Sequence, residues 1–125
     1  MRRIVVAGVV LAAGLAIGSA AFAGQTPSPK AYMIAELNVH DAKAYADYAP
    51  RVPAVVAKFG GHYIVRGGQT LALEGAAPAQ RIVVIEFPSL DAAKAFYGSP
   101  DYQALAPIRH AAATGNAYIV EGVAP

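Results

Sequence analysis

Cysteine and tryptophan are both absent from the 125 residues. Without cysteine there are no disulfides, no thiolate nucleophile, no iron–sulfur cluster and no cysteine-ligated zinc. The fold must therefore stand on its core alone. Charge is also scarce: charged residues make up 14% of the chain, against about 25% in an ordinary soluble domain. Ten basic and eight acidic side chains give a formal charge of +2. Two of the basic residues are Arg2 and Arg3, and beyond them the signs balance. A domain without net positive charge lacks the electrostatic footprint of a nucleic-acid binder. The three histidines, His40, His62 and His110, do not stand at a chelating i,i+4 spacing, so no metal site is expected. Gly67-Gly68 is not followed by Lys-Ser/Thr, which excludes a phosphate-binding loop.

What is present begins with a leader. Met1-Arg2-Arg3 is a positive start, residues 4–17 are apolar or small, and Ala21-Phe22-Ala23 is a small-x-small cleavage site. That order is the grammar of a secretory signal peptide. The apolar run is short for a membrane span of about 20 residues, and no cysteine follows it to carry a lipid. The expected organisation is a signal peptide over 1–23, a flexible linker over 24–30 and one folded domain over 31–122. The cleaved protein is expected to be periplasmic or secreted, with no membrane attachment.

The folded part is organised around residues 81–88, Arg-Ile-Val-Val-Ile-Glu-Phe-Pro. Four consecutive β-branched residues favour a strand over a helix, and loops on either side bound it as a buried central strand. Weak alternation predicts another strand over 31–39. Asp41 is the expected cap of a helix carrying Tyr45, Tyr48, Val52, Val55, Val56 and Phe59 on one face. Pro50 and Pro53 are expected to break it, and Gly60-Gly61 to end it. A strand follows over 62–66, interrupted by a bulge at Gly67-Gly68 and continued over 69–74, before a loop over 75–80. Ser89 or Asp91 starts the next helix, with Ala93, Phe96 and Tyr97 inward. Ser99-Pro100 starts another, over 101–113, with Tyr102, Leu105 and Ile108 or Arg109 on one face. A turn at Gly115-Asn116 leads to a strand over 117–121. The order β-α-β-β-α-β is the ferredoxin-like plan, an α+β fold with an antiparallel or mixed four-stranded sheet.

Several motifs in this order, Tyr45-Ala-Asp-Tyr48, Lys58-Phe-Gly-Gly61, Arg66-Gly-Gly68, Leu73-Glu-Gly75, Val84-Ile-Glu-Phe-Pro88, Ser99-Pro-Asp-Tyr102 and Glu121-Gly122, resemble domain-of-unknown-function family 1330 (DUF1330). The resemblance implies a ferredoxin-like protomer that pairs into a homodimeric α+β barrel, and it implies no established activity. The wider superfamily contains cofactor-free monooxygenases, haem-degrading enzymes, small isomerases and ligand-sensing modules, so the fold alone does not choose among them. Pairing also follows from the residues. Helices cover one face of such a sheet, and Tyr32, Ile34, Ile64, Ile82 and Val84 fall on the other. An apolar patch above a few hundred Å² is unusual on a soluble monomer.

The charged residues inside the strands are the candidate site. By alternation Glu36, Arg66, Glu86 and His62 share the dimer-facing side. They form either a polar pocket, with Arg66 holding an anionic or carbonyl group and Glu86 or His62 as base, or a buried Arg66–Glu86 ion pair that fixes register. Tyr48 and Tyr97, with Tyr45 and Tyr102, are core residues with hydroxyls at the rim, or line a pocket mouth. Arg109 is a further candidate ligand-binding residue; it precedes His110 on the helix that haem-degrading members of the superfamily use for their axial ligand, and otherwise His110 is a solvated side chain. No cofactor is called for. The function expected is a homodimeric module for a small organic ligand. The alternatives are a cofactor-independent monooxygenase-like or isomerase-like enzyme and a structural or stress-related dimer without ligand. Export is checked by intact-mass analysis of protein expressed in a Gram-negative host. The exported form should begin at Gly24, and a product retaining residues 1–23 would contradict the leader.

Overall fold

Alternation along the strands sorts the side chains to two faces of one sheet. In the computed structural model, which describes residues 8, 13, 14 and 27–125, β1 (Ala31–Val39), β2 (His62–Arg66), β3 (Arg81–Phe87) and β4 (Ala113–Glu121) pair antiparallel in the order β2-β3-β1-β4. The leader and most of the linker lie outside the described residues. The α-helices among the described residues are α1 (Ala42–Tyr48), α2 (Val52–Lys58), α3 (Leu90–Gly98) and α4 (Pro100–Ala112). This is the ferredoxin-like α+β plan, with each helical connection divided in two.

The divisions have local causes. Asp41 caps α1 by accepting from the Ala44 amide; Pro50, which lacks a donor, lies within a single 3-10 turn over Ala49–Arg51, and Pro53 lies in the first turn of α2 that follows. Ser89 caps α3 and Ser99 caps α4, the latter with Pro100 in the first turn. The Ser99 hydroxyl both donates to the Phe96 carbonyl and accepts from the Tyr102 amide, so one side chain closes α3 and opens α4.

Met33, Ala35 and Leu37 of β1 and Val83, Ile85 and Phe87 of β3 bury one sheet face against the helices. Phe96 and Tyr102 fill the centre, with ring centroids 4.6 Å apart, and Phe96 lies 5.1 Å from Phe87. Tyr97 sets its ring 5.4 Å from Tyr102 but remains 37% exposed, at the edge of this cluster. The opposite sheet face carries Val120–Tyr32–Glu86–His62 in one row and Tyr118–Ile34–Val84–Val65 in the next. No described helix belongs to that side.

Three expectations are corrected. Residues 69–74 form no strand and belong to a loop that exposes Leu71 and Leu73. Gly115-Asn116 is not a turn: β4 starts at Ala113 and pairs with β1 along its full length. The third matters most. The register shift in β2 lies between Tyr63 and Val65, not at Gly67-Gly68. Tyr63 pairs with Ile85 and Arg66 with Val83, so both belong to the helix-facing side. Unbroken alternation from His62 would have put Arg66 on the opposite side, with Glu86. The extra residue reverses that parity, and the predicted Arg66–Glu86 ion pair does not form.

Gly115 tests the β1–β4 pairing. Its φ of 141° suits glycine, and a Cβ there would run into the backbone carbonyl oxygen of Glu36. Gly115→Ala should cost more than about 1 kcal/mol, read as a lower urea midpoint; an unchanged midpoint would contradict the register.

Candidate functional site

The residues expected in one pocket divide between the two faces. On the open face, the Glu86 carboxylate accepts from Lys30 at 2.8 Å and lies 3.6 Å from His62 Nε2. The Lys30 ammonium holds the Glu86 carboxyl below the ordinary carboxylate range. Glu36 accepts a hydrogen bond from the Tyr118 hydroxyl at 3.1 Å. Glu36, Glu86 and His62 thus share a face, and Arg66 is not among them.

Arg66 lies at the rim of a cavity between the sheet and the helices, beside Arg81, Tyr48, Tyr63, Tyr102 and Arg109. The free space within is ≈ 20 Å³, about one water molecule. Arg66 Nη2 donates to the Ala49 carbonyl at 3.3 Å, and its guanidinium stacks 4.6 Å over the Tyr63 ring. Arg81 Nε donates to the Tyr45 hydroxyl at 3.2 Å. The Tyr48 and Tyr102 hydroxyls meet at 2.9 Å in the interior. Burial pushes the Tyr48, Tyr63 and Tyr102 phenols up, Tyr63 to about 12. All three remain neutral hydroxyls at physiological pH. Among the described residues, the lining contains no carboxylate and no imidazole.

Arg109 forms the wall between this interior and the surface. Only 6% of it is exposed. It lines the inner cavity and also an outer pocket of ≈ 210 Å³ with Leu37, Tyr97, His110, Ala113 and Gly115. A second outer pocket of ≈ 210 Å³, built from Met33, Tyr97, Ala117, Tyr118 and Ile119, shares Tyr97 and Ala117 with the first. Arg109 Nη2 lies 3.1 Å from His110 Nε2, and its buried Nε has no hydrogen-bond partner among the described residues. Arginine has no acceptor atom, so His110 Nε2 must accept. Among the described residues, no group of three histidine, aspartate or glutamate side chains is placed to hold a metal ion.

The structure therefore brings Arg66, Tyr48 and Arg109 to one cavity, carries Tyr97 to its outer side and leaves Glu36, Glu86 and His62 behind the sheet. Arg81 and Tyr63 are cavity residues that sequence reasoning missed. For Arg81 the signal was present: it shares alternation parity with Val83, Ile85 and Phe87, so it had to face the helices. Tyr63 and Arg66 required knowledge of the bulge.

The raised phenols give a measurable consequence. Folded Tyr48, Tyr63 and Tyr102 hold protons above the ordinary tyrosine value of 10. Their contribution to stability is whole below that pH and is lost as pH rises through the folded values. In an alkaline titration followed by phenolate absorbance, these groups should ionise late or together with unfolding. Full phenolate amplitude by about pH 11 with the fold intact would contradict their burial.

The fold has solved counterparts. One is the RPA0582 protein of unknown function from Rhodopseudomonas palustris, 20% identical over 81% of this chain and 85% of that one, with a TM-score of 0.61. The methylated form of RPA0582 is 21% identical, covering 81% and 86%, with a TM-score of 0.63. SnoaB, a cofactor-independent oxygenase from Streptomyces nogalater, is 17% identical over 74% of this chain and 92% of its own, with a TM-score of 0.55. At these identities the likeness is one of fold. No curated protein matches the sequence significantly. Residues 30–123 match the family described as Domain of unknown function (DUF1330), and the chain belongs to that family.

Proposed function

We propose that this protein is an exported, homodimeric module that binds a small organic molecule on the helix-facing side of its sheet. The observation that carries the binding is Arg109, a permanent charge that is buried, lacks a carboxylate partner among the described residues and borders an open pocket. A buried charge is costly unless something pairs with it. Bound ligand supplies what the fold does not.

Homodimer formation uses the other face. Tyr118, Ile34, Val84 and Val65 form an apolar row across all four strands, flanked by Glu36 and Glu86. A second copy would cover the row with its own and place the acidic groups at the rim, the usual anatomy of an interface. Export rests on the leader sequence. The enzyme alternative drew on Glu86 or His62 as base with Arg66 steadying an enolate, and those groups sit on opposite faces of the sheet. The cavity keeps neutral phenols and guanidiniums, which bind and orient but do not abstract a proton at neutral pH.

Two measurements check the proposal. Sedimentation at micromolar concentration should give about twice the protomer mass, and a stable monomer would remove the dimer. Mass spectrometry of small molecules released from the purified protein, with a thermal-shift screen of organic fragments, should find ligands whose effect weakens in Tyr97→Ala. No released compound and no stabilising fragment would remove the binding module.

A further inference from the structure

Arg109 and the two outer pockets together specify a kind of ligand. Arg109 is more than nine-tenths buried, and its Nε is shielded from solvent with no hydrogen-bond partner among the described residues. The last turn of α4 carries both Arg109 and His110, so the helix carbonyl end compensates part of the charge, equivalent to roughly half an elementary charge. That partial charge leaves the Nε–H without a partner. Among the described residues, no aspartate or glutamate lines the inner cavity or either outer pocket. Among the described residues, the guanidinium's hydrogen-bond partner is His110 Nε2, which accepts from Nη2.

The two outer pockets differ in character. The first presents Arg109 and His110; the second presents Met33, Ile119 and Tyr118, and Tyr97 and Ala117 stand at their junction. A cationic pocket that opens beside an apolar one suits a molecule with a charged head and an apolar body. One guanidinium edge matches a planar carboxylate, whose two oxygens accept parallel N–H bonds. A phosphate dianion would ask for more positive charge than one arginine offers.

Building on the binding reading above, we infer that the ligand is a monocarboxylate with an apolar tail: Arg109 takes the carboxylate, and the tail runs past Tyr97 to Met33 and Ile119. Arg109 is a binding residue and Tyr97 a tail contact. No covalent step is involved. The carboxylate supplies the counter-charge that the described residues do not give the guanidinium, and the tail is removed from water.

Isothermal titration calorimetry with three probes tests this on the purified protein. Hexanoate should bind at least about tenfold more tightly than hexanamide, a difference of about 1.4 kcal/mol, and more tightly than acetate. Arg109→Gln should erase the preference for hexanoate over hexanamide. Tyr97→Ala should weaken hexanoate by a larger factor than acetate, and an equal loss for both would overturn the tail assignment. Should Arg109→Gln fail to fold by circular dichroism, the hexanoate–hexanamide comparison on the unmodified protein decides alone. Equal binding of hexanoate and hexanamide would overturn the carboxylate assignment and leave the binding module standing. If neither probe nor any fragment binds, both fall.

Discussion

Four short helices cover one face of a four-stranded sheet, and every other feature of this protein depends on that one-sided burial. It requires one parity of β1 and β3 to be apolar, and Met33, Ala35, Leu37, Val83, Ile85 and Phe87 meet the requirement. The other parity is left with a mixed surface of Tyr32, Ile34, Val84, Glu36 and Glu86. The acids Glu36 and Glu86 stand on the open side, Glu86 with Lys30 and His62, while Arg66, Arg81 and Arg109 line the helix side. The strands thus keep these two carboxylates away from the three guanidiniums, and among the described residues no carboxylate lines the helix-facing cavity.

Much of this arrangement was legible in the sequence because its causes are local. Asp41, Ser89 and Ser99-Pro100 mark helix starts through hydrogen bonds that each residue makes within three positions of itself. Pro50 and Pro53 break the first helix for the same kind of reason. The strand over 81–87 is declared by its β-branched run. What the sequence could not express were effects of the partner strand. β2 takes its extra residue between Tyr63 and Val65, where no glycine signals it, and the Gly67-Gly68 pair that attracted the prediction only leads the chain out of the strand. Likewise Thr114, Gly115 and Asn116 look like a turn in isolation but are held extended by β1.

The candidate site was legible to the same limit. Alternation placed Glu36, Glu86 and His62 together correctly, because none of them lies beyond the bulge. It misplaced Arg66, the one residue that does. Arg109 was a candidate ligand-binding residue from its place beside His110 in the last turn of a helix, where the macrodipole also gives it an ordinary explanation. What the sequence could not show is its tertiary burial at the wall of the outer pocket, with Nε unpartnered among the described residues. A residue retained at a cost to the fold is a stronger sign of function than one that stabilises it.

That cost is the central claim, and the stability of Arg109→Met measures it directly. Methionine keeps much of the length and apolar stem of arginine, fills irregular space and removes the charge. If Arg109 is kept for a ligand, the ligand-free variant should unfold at a higher urea concentration than the ligand-free parent, as when other buried charges are replaced by apolar side chains of similar volume. A lower midpoint would mean that the guanidinium stabilises the fold by itself, and the account of Arg109 as a ligand-binding residue would be contradicted.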